Sequence, residues 1–415
     1  MLTRSRGYWA SFPPNVRLLL GARLARSIAQ GVIAVDFALY LRALGWSGSA
    51  IGFLLGAGLV FAVALTIAMS IPSDRLGRKP FLVSYDAVYA LACLGASLSA
   101  NPGVLLLAAI VGGFGRGANG SAGPFSAIEH AWMTQGLGAA EWTRALGLNT
   151  TLGFVGMGVG AACGVIPAIM TPANTGNAAS YRIIFDIAFL ASVASLACLV
   201  FAQDHHHRHV ETVHPSQEPS VRKKENKNLR NLSLVNFLQG TGIGLAGPLV
   251  SYWFAIRFHI GPGRIAPLMA MGFFLAAGSS LLANHFARRF GLMNVIVSFR
   301  VIALGLLVAL PLAPNLPVAV FLYLLRVTLN RATNGPRASI TSGLVRNQRR
   351  GLAGMVSKVS RQIPRSVGPI VAGYLFDSGL LAAPFLLGAL FQAGYLVLYQ
   401  RNFRDTPGAV AFKSS

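Results

Sequence analysis

The residues of this chain that could do chemistry are ionisable side chains set inside long apolar runs. Asp36, Glu129, Arg116 and Arg331 each stand in such a run. A charge at the centre of a bilayer costs ~2.5–3.5 kcal/mol or more, so each needs a partner or a task. Burial and a nearby arginine shift a carboxyl's proton affinity in opposite directions. Asp36 and Glu129 are therefore suited to exchanging a proton as their surroundings open and close. Glu129 lies 13 residues beyond Arg116, too far for direct pairing along one helix. Arg116 and Arg331 each lie about 13 residues into their runs, ~20 Å at helical rise, beyond the middle of a ~30 Å hydrocarbon core. They can equally satisfy helix-end carbonyls or a buried carboxylate.

A second set is all basic. Arg326, Arg331 and Arg337, with Arg361 and Arg365, have Asp377 as the only acid near them in sequence. Arg361 and Arg365 are four apart and share a helix face. Uncompensated arginines beside water suit an anionic solute; alternatively Arg337 and Arg361 snorkel to the membrane surface. Asp86 and Asp186 read as structural partners, with Asp86 near the basic residues that follow the second run. Gln30, Phe37 and Tyr40, and further on Phe237, Gln239, Tyr252 and Trp253, are candidates to shape a pocket or to pack at helical spacing.

The elements that must hold these residues are membrane helices. The chain is 54% hydrophobic and only 11% charged over 415 residues, against about 25% charged for a soluble domain. Its net charge of +23 is spread through short polar breaks rather than gathered with interleaved aromatics. That pattern matches the positive-inside rule and excludes a nucleic-acid partner. Cys93, Cys163 and Cys198 lie in apolar runs, with no spacing for disulfides or zinc. Arg23 and Arg26 interrupt the first run, so it reads as a retained span rather than a signal peptide. No phosphate cradle, nucleophile elbow or zinc-protease motif is present, so no enzyme, ATP motor, cofactor or metal is expected. Any driving energy comes from an ion or solute gradient.

Apolar runs at 16–43, 48–72, 80–100, 103–134, 145–170 and 181–202 give six spans, and those at 231–257, 264–286, 292–312, 317–344, 352–378 and 383–401 give six more. At ~20 residues per crossing this fills the chain. The expected organisation is a six-helix bundle over 1–202, a linker over 203–230, a second bundle over 231–402 and a tail over 403–415. The linker carries His205, His206, His207 and His209, which read as solvated rather than metal-binding. Basic residues concentrate in alternate breaks, which places both termini in the cytoplasm and the protein in an inner membrane. The halves repeat each other. Arg116-Gly-Ala-Asn119-Gly120 recurs 215 positions later as Arg331-Ala-Thr-Asn334-Gly335, and Gly153 and Gly158 map at the same shift onto Gly368 and Gly373. Ser70-Ile-Pro-Ser-Asp74-Arg75-Leu-Gly77-Arg78-Lys79 maps at 214 onto a degraded copy ending Arg288-Arg289-Phe290-Gly291.

That stretch, between the second and third spans, resembles the G-x3-D-R-x-G-R-K signature of the major facilitator superfamily, with Ser70 in place of the leading glycine. Arg116, Asn119, Gly120 and Gly123 further resemble a span-four pattern of its drug:proton antiporter branches. The Gly-Pro that ends their span-five signature is absent from span five here and occurs as Gly368-Pro369. The resemblance implies an all-α fold of twelve transmembrane helices in two pseudo-symmetric bundles around a central cavity. It implies that Asp74, Arg75, Gly77, Arg78 and Lys79 form a gating turn and that Arg116 modulates proton coupling by Asp36 and Glu129. It also places Gln30, Phe37, Tyr40, Asn119, Gln239, Tyr252, Arg331, Asn334 and Arg365 at the cavity. The expected activity is proton-coupled efflux of a small organic compound by a monomer in the lipid bilayer. Uptake or exchange of an organic or phosphorylated anion is the alternative, and a non-transporting membrane sensor is a second.

Overall fold

The computed structural model describes residues 12–115, 123, 125–170, 178–203, 219–335, 337 and 350–403; a few helical side chains, those of Asp74 and Arg75 among them, fall outside that description. Every element among these residues is helical. Pro14 opens α1 (Pro14–Ala43), where its fixed φ suits the first helical position. Gly45, at φ 84°, turns the chain into α2 (Gly48–Leu76). α2 runs past the expected span end at 72 to Leu76, so the reversal is confined to Gly77 and Arg78. Gly77 sits at φ 92°, a conformation that costs glycine little. α3 (Lys79–Leu98) follows.

The fourth span departs from expectation. Read from sequence as one run over 103–134, it is α4 (Pro102–Ala108), a π-helical turn (Ala109–Gly113), and then α5 (Ser126–Met133). Gly113, Gly115 and Gly123 have φ of 76°, 79° and 83°, which no right-handed helix contains. α6 (Ala139–Cys163) and short α7 (Ile166–Met170) make the fifth span, and α8 (Arg182–Phe201) the sixth. α9 (Pro219–Ala246) starts inside the expected linker, whose residues from 219 onward are helical; the histidines at 205–209 lie outside the described residues. α10 (Val250–Phe258), α11 (Pro262–Phe290), α12 (Leu292–Ala309), α13 (Leu316–Ala332), α14 (Arg350–Asp377) and α15 (Ala383–Phe403) complete the chain.

Seven of the described helical segments are long and apolar enough to cross a membrane by composition alone. Others, α14 among them, carry Lys358, Arg361 and Arg365 and look too polar until their burial is seen. The surface is inverted relative to a soluble protein. Leu91, Leu98, Leu190, Phe201 and Leu390 point outward while Arg26, Asp86 and Glu129 are buried. Apolar side chains outside and charges inside are what a hydrocarbon solvent selects.

The chain divides into two compact units: unit 1 holds 1–46, 61–208 and 260–277, and unit 2 holds 47–60, 209–259 and 278–415. In unit 1, Leu19, Leu82, Tyr85, Phe125 and Trp132 form one core; in unit 2, Leu232, Val235, Ile296, Tyr395 and Tyr399 form another. Glycines let helices touch along their backbones. Gly156 and Gly160 of α6 lie on the Leu24 and Ile28 carbonyls of α1, and Gly240 and Gly244 of α9 lie on the backbone of Arg361 and Arg365 in α14. The repeated glycines do corresponding work. Gly158 seats Phe274 of α11 in unit 1, and Gly373 seats the Gly48 backbone of α2 in unit 2. Gly291 has φ 82°, close to the 92° of Gly77 in the original of the turn it copies.

Candidate functional site

In unit 1 four helices converge on one guanidinium. Arg26 of α1 is 3% exposed; its Nε and Nη2 donate to the two carboxylate oxygens of Asp86 on α3 at 2.8 and 3.3 Å, and its Nη1 donates to Glu129 Oε2 on α5 at 2.5 Å. Ser195 of α8 donates to Asp86 Oδ2 at 2.5 Å. Such a fork is the strongest geometry available to an arginine and a carboxylate. Breaking a buried pair of this kind costs about 3–5 kcal/mol, because the partner left behind stays charged and desolvated. Asp86, read as a structural partner near the basic residues of the turn, has Arg26 of α1 as that partner. The two acids are held unequally. Asp86 accepts three hydrogen bonds, whereas Glu129 accepts one and its Oε1 has no partner among the described residues.

Around this group lie further polar atoms without partners among the described residues: Arg23 Nε and Nη1, Ser27 Oγ, Gln30 Oε1 and Asn149 Oδ1. Arg23 lies against Gly153 of α6, and Asn149 Nδ2 is 3.2 Å from His130 Nε2. Asp36 is separate from them. It is wholly buried, neither carboxylate oxygen has a partner among the described residues, and it abuts Gly164 where α6 ends. An ionised Asp36 would be uncompensated there, and taking up a proton removes that charge. Phe37 and Tyr40, expected at a cavity wall, are engaged in ring packing: Phe37 is 5.2 Å from Phe114 and Tyr40 is 5.3 Å from Phe185. Asp186 receives a hydrogen bond from Ser97, the structural role expected of it.

The turn after α2 uses its cations on helix ends. Arg78 Nη1 donates to Ala131 O at 2.7 Å, and Lys79 Nζ donates to Val200 O and Ala202 O at 2.7 and 2.8 Å. Terminal carbonyls of α5 and α8 thus receive the positive charge their dipoles favour. The side chains of Asp74 and Arg75 lie outside the described residues, as do Arg116 and Asn119 entirely.

Unit 2 gathers cations. Arg300, Arg326, Arg337 and Arg365 are each less than a tenth exposed. Arg337 Nη2 donates to Gln239 Oε1 at 2.7 Å and its guanidinium lies 5.2 Å from the Tyr395 ring and 5.6 Å from Tyr399. That burial corrects the snorkelling expected of Arg337; the aromatic pair offers it ~0.5–2 kcal/mol inside the unit. Arg300 Nε donates to Thr333 Oγ1 at 2.9 Å and stands 5.7 Å over the same Tyr395 ring. Arg365 Nε and Nη2 have no partner among the described residues. Arg331 is half-buried and Asn334 exposed. Tyr252 is buried, its ring 6.1 Å from Phe376. Asp377 is occupied elsewhere, accepting from the Gly48 and Ser49 amides at 2.7 and 2.8 Å.

Sequence reasoning passed over Arg23, Arg26, Asn149, Ser195 and Arg300. The signal was present for the first two. Arg23 and Arg26 are three apart on one face of an apolar run, and each needed an acid from another span.

Solved structures share this fold. A D-xylose–proton symporter superposes with a TM-score of 0.71 at 14% identity, covering 91% of this chain and 96% of its own. A mutant of the nucleoside transporter NupG gives 0.71 at 12%, covering 94% and 100%. A bacterial homologue of the human lysosomal transporter Spinster, inward-facing and unoccupied, gives 0.71 at 16%, covering 95% and 98%. At these identities the likeness carries the fold, twelve membrane-spanning helices, and nothing of substrate. No curated protein sequence matches the chain. The family model for the Major Facilitator Superfamily matches residues 19–369, most of the chain, and the chain belongs to that superfamily.

Proposed function

We propose that this protein is a secondary transporter that moves a small organic solute by alternating access, coupled to a proton and working outward. Membership of a superfamily of transporters and a multi-pass helical fold support transport itself. The observation that carries proton coupling is Asp36: a fully buried acid with no partner among the described residues, seated on the glycine where α6 ends. Any movement that opens that joint changes the carboxylate's solvation, and so ties its protonation to conformation. Glu129 is the second coupling residue. One hydrogen bond holds it to Arg26, and a proton on it releases that bond while Asp86 keeps the arginine in place. Export is the direction that the span-four pattern around Arg116 and Asn119 implies. The turn at Gly77, Arg78 and Lys79, with Asp74 and Arg75, acts as its gate.

Proteoliposomes loaded with a pH-sensitive dye test this. Challenged with a panel of small organic solutes, wild type should give solute-dependent proton movement, lost in Asp36→Asn and Glu129→Gln and kept in Asp186→Asn. Proton movement that survives both substitutions overturns the reading.

One observation favours a second reading. Arg365, buried with two nitrogens unpartnered among the described residues and close to Arg331, suits exchange of an organic or phosphorylated anion. Flux insensitive to a proton gradient but stimulated by anion on the opposite side selects it.

A further inference from the structure

Where α12 begins and α15 ends, unit 2 holds a cavity of about 140 Å³, lined by Met293, Asn294, Val297 and Ser298 of α12 and Gln400 of α15. A single ordered water needs only ~10–15 Å³, so the space suits a larger guest. The helix faces that frame it change character along their length. Asn294, Ser298, Val301 and Val308 recur at helical spacing on one face of α12, and all four are exposed. Gln400, Val397, Leu390 and Leu386 recur likewise on one face of α15 and are exposed too. Exposed apolar side chains along a membrane helix are met by lipid chains. Both faces are therefore lipid-facing, and both turn polar in the turn that borders the cavity. Asn294 to Ser298 covers ~6 Å of helix, close to the ~5–8 Å that headgroups occupy on each side of a ~30 Å core. Asn294 donates from its amide to Phe290 O at 3.0 Å, which leaves its oxygen to accept. The Ser298 and Gln400 side chains make no hydrogen bond among the described residues, so their partners come from the bilayer interface. Two exposed cations flank the cavity in sequence: Arg401 adjoins Gln400, and Arg289, five residues before Asn294, lies 5.5 Å over the exposed Phe290 ring.

We propose that this cavity seats the headgroup of an anionic phospholipid. The Ser298 hydroxyl and the Gln400 amide donate to its phosphodiester and glycerol-backbone oxygens, and Arg401 adds a charge-assisted bond to the phosphate. The acyl chains then run along Val301 and Val397, which are 51% and 64% exposed. Those apolar flanks are what select a lipid over a free anion. Basic pockets between membrane helices on the cytoplasmic side suit such headgroups, and the basic breaks of the sequence assign this end of α12 and α15 to that side. The inference concerns the lipid-facing surface of unit 2 rather than the residues proposed for proton coupling. It holds or fails without reference to solute flux.

The test uses the purified full chain, stripped of lipid in a neutral detergent, with native mass spectrometry counting lipids as they are added. Phosphatidylglycerol should bind as a first, saturable lipid at roughly a tenth of the concentration that phosphatidylcholine needs. Inorganic phosphate in excess should leave that lipid bound. Arg401→Gln should raise the concentration for half-occupancy roughly fivefold. Ser298→Val with Gln400→Leu keeps the net charge and removes the hydrogen bonds; it should raise that concentration roughly three- to tenfold, and it decides the matter if Arg401→Gln does not fold. Lys227→Gln removes an equal charge at an exposed position of α9 and should change nothing. Equal half-occupancy for the two lipids overturns the site, and so does displacement by phosphate or an unchanged value in the double variant. A loss in Lys227→Gln as large as in Arg401→Gln overturns it as well, because the lipid would then answer to net charge and not to this cavity.

Discussion

Asp86 and Arg300 occupy one place in a repeated frame and meet opposite fates. The frame is the same in both units: a glycine at φ 92° or 82° opens a helix whose buried face carries a charge two to three turns in. Unit 1 closes its charge internally, with Arg26 shared between Asp86 and Glu129. Unit 2 surrounds Arg300 with a hydroxyl, aromatic faces and other arginines. The lesson is that helix packing and charge are separate layers of the design. Glycine spacing sets how closely helices approach, and the charges are then laid out differently, with an arginine shared between two buried acids in one unit and several buried arginines gathered in the other.

The sharpest way to break that comparison is to remove one charge from each unit. Asp86→Asn strips the fork from Arg26 and leaves a buried cation short of a partner, a loss of about 3–5 kcal/mol. Arg300→Gln removes a cation that has no acid partner among the described residues. Its lost bond to Thr333 and relieved repulsion nearly cancel, within about 1 kcal/mol. Thermal unfolding of both variants in one detergent checks this. Equal, large drops in melting temperature would mean that the two positions are not opposites.

Most of the architecture was legible because lipid imposes a simple rule, long apolar runs with charge at their ends, and because the glycine pairs survive in both repeats. The fourth span was misread for a definable reason. Its apolar count is high, and hydropathy does not register that Gly113, Gly115 and Gly123 adopt positive φ. The site was half legible. Asp36 and Glu129 stand out as acids in apolar sequence. That Arg26 would join Glu129 to Asp86 was hidden, since the three come from different helices, 60 and 103 positions from Arg26. Arg337 was misjudged because nothing in its own helix announces Tyr395 and Tyr399, which α15 places beneath it.

An intermediate effect sharpens the comparison at Gly153 and Gly368, the same repeat position. A methyl at Gly368 would fall on the Gly244–Leu245 backbone, which can only yield by moving α9 away from α14; a methyl at Gly153 would meet the flexible end of Arg23. Gly368→Ala is expected to cost about 1–3 kcal/mol as overpacking. Gly153→Ala should cost clearly less, and Gly305→Ala, with open space around it, should cost nothing or stabilise. Melting temperatures in that order support backbone contact as the reason for these glycines. The reverse order would place the tight approach in unit 1.

The smallest effect concerns an acid that only one repeat possesses. Asp377 at the end of α14 accepts from the Gly48 and Ser49 amides and from Ser49 Oγ, at 2.7, 2.8 and 2.6 Å, so one carboxylate caps the start of α2. The 215 shift puts Ala162 at the matching place on α6, while α11, the counterpart of α2, starts with Pro262, which has no amide N–H to cap. One repeat therefore satisfies its helix start with a charge and the other by dispensing with a donor. Asp377→Asn keeps one acceptor and loses the charge facing the helix dipole, for about 0.5–1 kcal/mol, and Asp377→Ala loses both for about 1–2 kcal/mol. Because the carboxylate is exposed, raised salt should shrink the difference between wild type and Asp377→Asn. A deficit unaffected by salt would show that Asp377 works through hydrogen-bond geometry alone, and the charge contrast between the repeats would then end at Asp86 and Arg300.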